Sequence, residues 1–121
     1  MELITQSPSL ATALKETAVM YARLGYYVFP LAPGSKKPVK DSSGLLDATT
    51  HLTTIVEWWD KSPYGNIGIA CGPSGWVVLD FDASKPEYPA ASEEMRLQLV
   101  RSHPTLTVRT RSGGYHMIYR Q

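Results

Sequence analysis

The chain has 121 residues, of which 12 are lysine or arginine and 11 are aspartate or glutamate, and its formal net charge is +1. Its single cysteine, Cys71, excludes an internal disulfide and any cysteine-based zinc pattern, as is typical of a reducing cytoplasm. No apolar run approaches the roughly 18 residues of a membrane helix, and the first residues lack the pattern of a signal peptide. We therefore expect one cytoplasmic domain over residues 1–121 without a membrane partner. The near-neutral charge neither requires nor excludes nucleic acid.

The first half of the chain carries signals for two helices and two strands. After a loose start over residues 1–8, Ser9 or Ser7 can cap a helix that runs to about Leu24, and Gly25 is placed to end it. The elements that follow are a strand at Tyr26–Leu31, a loop at Ala32–Asp41, a second loop at Ser42–His51, a helix that Thr53 or Thr54 caps and that reaches Asp60 with Trp58 and Trp59 towards the core, and a strand at Asn66–Ala70.

The second half predicts a strand, a helix and a hairpin. These elements are a turn at Gly72–Gly75, a strand at Trp76–Asp82, a helix at Ala91–Ser102, and strands at Leu106–Thr110 and Tyr115–Arg120 joined by Ser112-Gly113-Gly114. The apolar residues of this helix are Met95, Leu97, Leu99 and Val100, and its charged residues are expected to face water: Glu93, Glu94, Arg96 and Arg101. The order of elements indicates an α/β (α+β) fold with a mixed, largely antiparallel sheet and flanking helices.

The strand Trp76–Asp82 ends in two carboxylates. Its apolar run predicts a strand that is packed on both faces. Because side chains alternate along a strand, Asp80 and Asp82 should emerge on the same face about 7 Å apart, a spacing that suits divalent metal ions. Two like charges at a strand end also call for a positive group between them, either a cation or a basic side chain. The simpler interpretation is that both aspartates only organise the following loop.

Two further segments can meet phosphate. The turn Ser112-Gly113-Gly114 can present backbone N–H groups to an anion, and His116 follows it; a plain hairpin is the alternative. The segment Gly34–Lys40, here called the lysine loop, carries Lys36, Lys37 and Lys40, although a solvated surface loop is the commoner explanation of such a run. The chain contains no Gly-Lys dipeptide, which excludes a P-loop ATPase.

The order of these segments resembles the bifunctional DNA primase/polymerase N-terminal domain family of the archaeo-eukaryotic primase superfamily. The resemblance extends over about residues 18–120. The matching segments are Leu24–Leu31, Pro33–Pro38, Asp47–Thr50, Ile55 with Trp58-Trp59, Asn66–Ile69, Val77–Asp82 and Thr110–His116.

The resemblance implies a reaction and a set of site residues. Asp80 and Asp82 would hold Mg²⁺ or Mn²⁺, and His116 would contact the phosphates of the incoming nucleotide. Ser112, Gly113 and Gly114 would help to bind that nucleotide, and Lys36 would meet phosphate or template. The implied activity is template-directed nucleotidyl transfer from nucleoside triphosphates on a single-stranded DNA template. It would serve the replication of plasmids, phages or integrated elements.

The sequence also departs from the family pattern. Family members carry a third acidic residue on a strand well after the histidine motif, and this sequence ends five residues after His116. Without that third carboxylate the metals lose a ligand, so we expect the N-terminal portion of a primase/polymerase domain with poor or no activity. The expected protein partner is a C-terminal helicase or the remaining half of the domain on another chain. His51 stands where an aspartate often follows the Thr-Thr pair. A non-catalytic nucleotide- or nucleic-acid-binding remnant and a metal-dependent nuclease stay open as alternatives.

Overall fold

The structure, a computed structural model, describes residues 8–121. The chain divides into two compact units, Met1–Ser74 and Gly75–Gln121, called here the first and second units. The predicted loose start lies outside the described residues apart from residue 8, as does the alternative cap Ser7. The helices are α1 (Leu10–Arg23), α2 (Leu52–Lys61), α3 (Cys71–Ser74) and α4 (Ala90–Ser102), and the strands are β1 (Val28–Leu31), β2 (Asn66–Ile69), β3 (Trp76–Phe81), β4 (Thr107–Arg109) and β5 (Tyr115–Arg120).

The ends of α1 follow from local chemistry. The Ser9 side chain accepts a hydrogen bond of 3.1 Å from the backbone N–H of Thr12, so the predicted cap is confirmed. Gly25 adopts a φ of +92° directly after the helix, the left-handed conformation that glycine tolerates best. Ala18 and Ala22, one turn apart, are buried and place one face of α1 in the core.

The core of the first unit joins α1, α2 and β1. Ile55 and Trp59 of α2 are buried together with Val28 of β1. The Trp59 indole N–H donates to the carbonyl of Gly65 at 2.9 Å, which satisfies the polar group of this buried side chain. The predicted core role of Trp59 is confirmed.

Three details of the first unit differ from the expectation. The short helix α3 (Cys71–Ser74) stands where a turn at Gly72–Gly75 was predicted. The segment Ser42–His51, predicted as a loop, contains a one-turn 3-10 helix at Gly44–Asp47. The cap of α2 is His51 rather than Thr53 or Thr54, and its Nδ1 accepts from the backbone N–H of Thr54 at 3.4 Å. An imidazole nitrogen here does what an aspartate oxygen does at other helix starts.

The second unit is a three-stranded antiparallel sheet in the order β3-β5-β4 with α4 on one face. Its buried apolar side chains are Phe81 and Met117. The other pair, β1 with β2, is also antiparallel. The α/β (α+β) class with largely antiparallel sheets is therefore confirmed.

Burial of β3 is where the sequence prediction was wrong. The strand was expected to be packed on both faces, yet Val77 is 44% exposed and only Phe81 is buried. Within the second unit β3 pairs with β5 along one edge, and α4 covers one face. An apolar run alone does not determine how many faces of a strand will be covered.

The face that α4 turns towards the sheet is polar. Arg96, predicted to face water, has a side chain only 14% exposed, and its guanidinium lies 4.1 Å from the centre of the Tyr115 ring. Met95, Leu97 and Val100 are the exposed residues instead. The prediction failed because α4 has no clear apolar stripe, and polar residues make its contacts beyond the helix: Arg96 lies over the Tyr115 ring and Glu93 accepts from Tyr88. No helix among residues 8–121 is long and apolar enough to cross a bilayer.

Candidate active site

Asp80 and His116 face each other across neighbouring strands. The register of β3 and β5 places them directly opposite each other, so their side chains lie on the same face of the sheet. His116 Nε2 is 3.4 Å from Asp80 Oδ1. The carboxylate is 64% exposed and the imidazole 39% exposed, so both can reach a ligand in solvent.

Asp82 follows β3 directly and is held within a tight turn. Its Oδ1 accepts a hydrogen bond of 3.0 Å from the Ser84 hydroxyl, and its Oδ2 lies 3.2 Å from the Lys85 ammonium. The two carboxylates therefore have separate basic neighbours, His116 and Lys85. Lys85 was not predicted from the sequence; it lies three residues after Asp82 in the same turn, which lets its side chain reach back to the carboxylate.

The turn after β4 is closed by its own hydrogen bonds. The Gly113 N–H donates to the carbonyl of Thr110 at 3.0 Å, and the Gly114 N–H donates to the Thr110 hydroxyl at 2.8 Å. Gly113 has a φ of +98°, which favours glycine. Both glycine amides expected to meet phosphate are thus engaged within the turn. The exposed Ser112 hydroxyl, 3.4 Å from that of Thr110, is the polar group the turn presents to solvent.

This turn packs closely against the end of β3. A Cβ added to Gly114 would lie 2.7 Å from the carbonyl oxygen of Phe81 and 3.4 Å from Cα of Asp82. A Cβ on Gly113 would lie 3.9 Å from Cβ of Ser84. The second unit therefore brings the two aspartates, His116 and the 112–114 turn together at one end of the β3–β5 pair.

Lys36 belongs to the first unit. The lysine loop is ordered there, because the Asn66 side-chain amide donates to the carbonyl of Ser35 at 3.0 Å and Ala32 N–H donates to the carbonyl of Lys37 at 2.8 Å. Lys36, Lys37 and Lys40 are all exposed. Lys36 is thus not a member of the group of side chains that the second unit assembles.

A family model described as bifunctional DNA primase/polymerase, N-terminal (Prim-Pol), matches residues 18–121. The chain belongs to the Prim-Pol family. The resemblance seen in the sequence is confirmed. Searches of curated proteins and of solved structures each found no match. Membership of the Prim-Pol family indicates a DNA primase/polymerase type of function, with nucleotide and DNA binding and a general dependence on metal.

The metal that the Prim-Pol family implies suits the donors of Asp80 and Asp82. Among residues 8–121 there is no group of three or more histidine, cysteine, aspartate or glutamate side chains that could hold a metal ion. Mg²⁺, however, is usually bound through one or two carboxylates together with substrate phosphates and water. Asp80 and Asp82, both accessible to solvent at the end of β3 beside the 112–114 turn, fit that kind of site.

A hydrogen-bonded cluster of Tyr88, Glu93 and Arg96 lies on the face of the second unit's sheet opposite Asp80 and His116. Arg96 pairs with Glu93, its Nε donating to Oε2 at 3.0 Å, and the Tyr88 hydroxyl donates to the same oxygen at 3.0 Å. The hydrogen bonds from Arg96 lower the pKa of Glu93, and the bonds to Glu93 raise the pKa of Arg96. Burial, and then the bond to Glu93, raises the pKa of Tyr88. The cluster holds α4 over Tyr115, which lies between Gly114 and His116 in the chain.

Proposed function

We propose that this chain is a catalytic module of a DNA primase/polymerase that carries out metal-dependent, template-directed nucleotidyl transfer. One observation carries the proposal: in a chain of the Prim-Pol family, Asp80, Asp82, His116 and the 112–114 turn meet at one end of a strand pair. The substrates are nucleoside triphosphates and the template is single-stranded DNA.

Each residue has a distinct role in this proposal. Asp80 and Asp82 hold Mg²⁺ or Mn²⁺, which supplies positive charge at the attacking and leaving oxygens of an in-line displacement. His116 contacts the phosphates of the incoming nucleotide and keeps them beside Asp80. Ser112 donates its hydroxyl to a phosphate oxygen, while Gly113 and Gly114 allow the turn to approach β3 closely. The catalytic work of the chain is thus positioning and charge neutralisation.

Lys36 has a supporting role. The exposed ammonium groups of the lysine loop bind phosphates of the nucleotide or the template. We place the protein in the cytoplasm, in the replication of plasmids, phages or integrated elements. The predicted helicase or second-chain partner stays a prediction.

The test is primer synthesis and primer extension on single-stranded DNA. The purified chain is supplied with labelled ribo- or deoxyribonucleotides and either Mn²⁺ or Mg²⁺. We expect products that the Asp80→Ala/Asp82→Ala variant does not make. The matched control is Glu87→Ala/Glu94→Ala, which removes two exposed acidic groups elsewhere in the second unit and should keep activity. Equal products from the wild-type chain and the Asp80/Asp82 variant would refute the assignment.

A second candidate function is nucleotide binding without turnover. Its support is that no three histidine, cysteine, aspartate or glutamate side chains within residues 8–121 are grouped so that they could hold a metal ion. Calorimetric titration with a deoxynucleoside triphosphate and Mn²⁺ distinguishes the two: binding that the Asp80/Asp82 variant loses, in a sample that makes no product, favours the binding module. Cleavage of DNA without added nucleotide would favour the metal-dependent nuclease instead.

A further inference from the structure

Lys85 stands next to the proposed metal-binding carboxylate. Its backbone N–H donates to the Asp82 carbonyl at 3.2 Å, which closes the turn, and its ammonium lies 3.2 Å from Asp82 Oδ2. The ammonium is 60% exposed and the carboxylate 43% exposed. Ion pairs this exposed contribute little to stability. The Lys85 side chain can therefore leave Asp82 without disturbing the turn, since the backbone bond holds the turn in place.

The turn of Lys85 also borders the turn proposed to bind phosphate. Ser84, the residue before Lys85, approaches Gly113, and Asp82 approaches Gly114. Lysine carries its charge on a flexible four-carbon stem and binds phosphate as a point charge. A nucleotide held at the 112–114 turn would thus bring its phosphates to the neighbourhood of Lys85.

We propose that Lys85 is a movable counterion of the nucleotide site. In the metal-free protein it neutralises Asp82. When a divalent cation binds to the carboxylates, Lys85 is repelled from Asp82 and turns to the phosphates of the nucleotide. This role rests on the proposed function, because it requires that Asp82 bind the cation. It predicts opposite effects of one substitution on two ligands.

The first measurement is the affinity for Mn²⁺ alone, by calorimetric titration of the full chain. Lys85→Gln removes the competing charge, so Mn²⁺ should bind about twofold to fivefold more tightly, the range expected for an exposed ion pair. Arg101→Ala is the matched control, because it removes one exposed positive charge from α4 in the same unit. That variant should bind Mn²⁺ as the wild-type chain does.

The second measurement is the affinity for a deoxynucleoside triphosphate at saturating Mn²⁺. Lys85→Gln should bind it about tenfold more weakly, as expected for the removal of one hydrogen bond to a charged group, and Lys85→Arg should restore most of the affinity. A loss of affinity for both ligands, or no difference from Arg101→Ala, would overturn the role of Lys85. A wild-type chain that binds nucleotide only as well as Asp80→Ala/Asp82→Ala would overturn the proposed function along with it.

Discussion

Replacing Gly114 with alanine tests whether the 112–114 turn packs against the end of β3 as closely as the structure shows. The added Cβ would lie 2.7 Å from the Phe81 carbonyl oxygen, and real Cβ atoms essentially never come within 3.0 Å of a neighbour. The opposing atom belongs to the backbone of β3, so no side-chain rotation relieves the contact. The start of β5 must move away from the end of β3 by several tenths of an ångström.

The size of the effect follows from what that movement disturbs. Overpacking of a well-packed site destabilises by about 1–3 kcal/mol. The Phe81–Tyr115 pair is adjacent to the clash, and weakening one of its hydrogen bonds contributes about 1 kcal/mol of that loss. We therefore expect Gly114→Ala to lower the free energy of unfolding by about 1–3 kcal/mol.

The assay is urea denaturation followed by circular dichroism, with hydrogen exchange to locate the change. Exchange should accelerate in β5 and leave α1 unaffected. The matched control is Gly72→Ala, because nothing lies within 4 Å of its added Cβ. The control should stay within about 0.5 kcal/mol of the wild-type chain. A Gly114→Ala variant as stable as the control would refute the close approach of the 112–114 turn to the end of β3.

Three further predictions concern other residues. Because the bonds from Arg96 lower the pKa of Glu93 from its ordinary value of 4.5, the stability that Glu93 contributes is complete above that value and lost as the pH falls through the lowered pKa of the folded state. Glu93→Gln should therefore be less stable than the wild-type chain at neutral pH, and urea denaturation at a series of pH values below 4.5 should show the difference shrinking as the pH falls. A difference in stability that stays constant with pH would contradict the pairing. His51→Asp should raise the free energy of unfolding by about 0.5–1 kcal/mol, since aspartate is a preferred helix cap. A midpoint temperature of thermal unfolding that does not rise would argue against this cap. Lys36→Ala should make the slope of log K against log salt concentration for single-stranded DNA binding less steep by about 0.7 for each phosphate that the lysine neutralises, as measured by fluorescence anisotropy. Lys61→Ala should leave this slope unchanged. Equal slopes for Lys36→Ala and the wild-type chain would remove Lys36 from the DNA site.

Much of the fold was predictable because its signals are local. Ser9 and Gly25 allowed both ends of α1 to be predicted closely, and the Ser-Gly-Gly turn located the β4–β5 hairpin. These features depend on hydrogen bonds and backbone conformations within a few residues, which a sequence displays directly.

Burial and site partners were harder because they depend on contacts that are distant in the chain. The exposed Val77 and the covered Arg96 could not be predicted from apolar patterns, since each depends on what packs against one face of the sheet. The register that sets Asp80 against His116 was also hidden, because two strands far apart in the chain can pair in several alignments. Lys85 has no distinctive sequence signal, because a single lysine in a turn is ordinary on a protein surface.

Polar contacts, rather than an apolar stripe, hold α4 against the sheet of the second unit. A helix attached by an apolar stripe can rotate a little with small loss, because apolar contacts have no preferred direction. In α4 the contacts to groups outside the helix are directional: the planar guanidinium of Arg96 lies over the Tyr115 ring, and Glu93 accepts from the Tyr88 hydroxyl. A shift by one residue turns a helix by about 100° and would carry the guanidinium away from the ring. These two contacts therefore favour one rotational setting of α4, in which Met95, Leu97 and Val100 point outward.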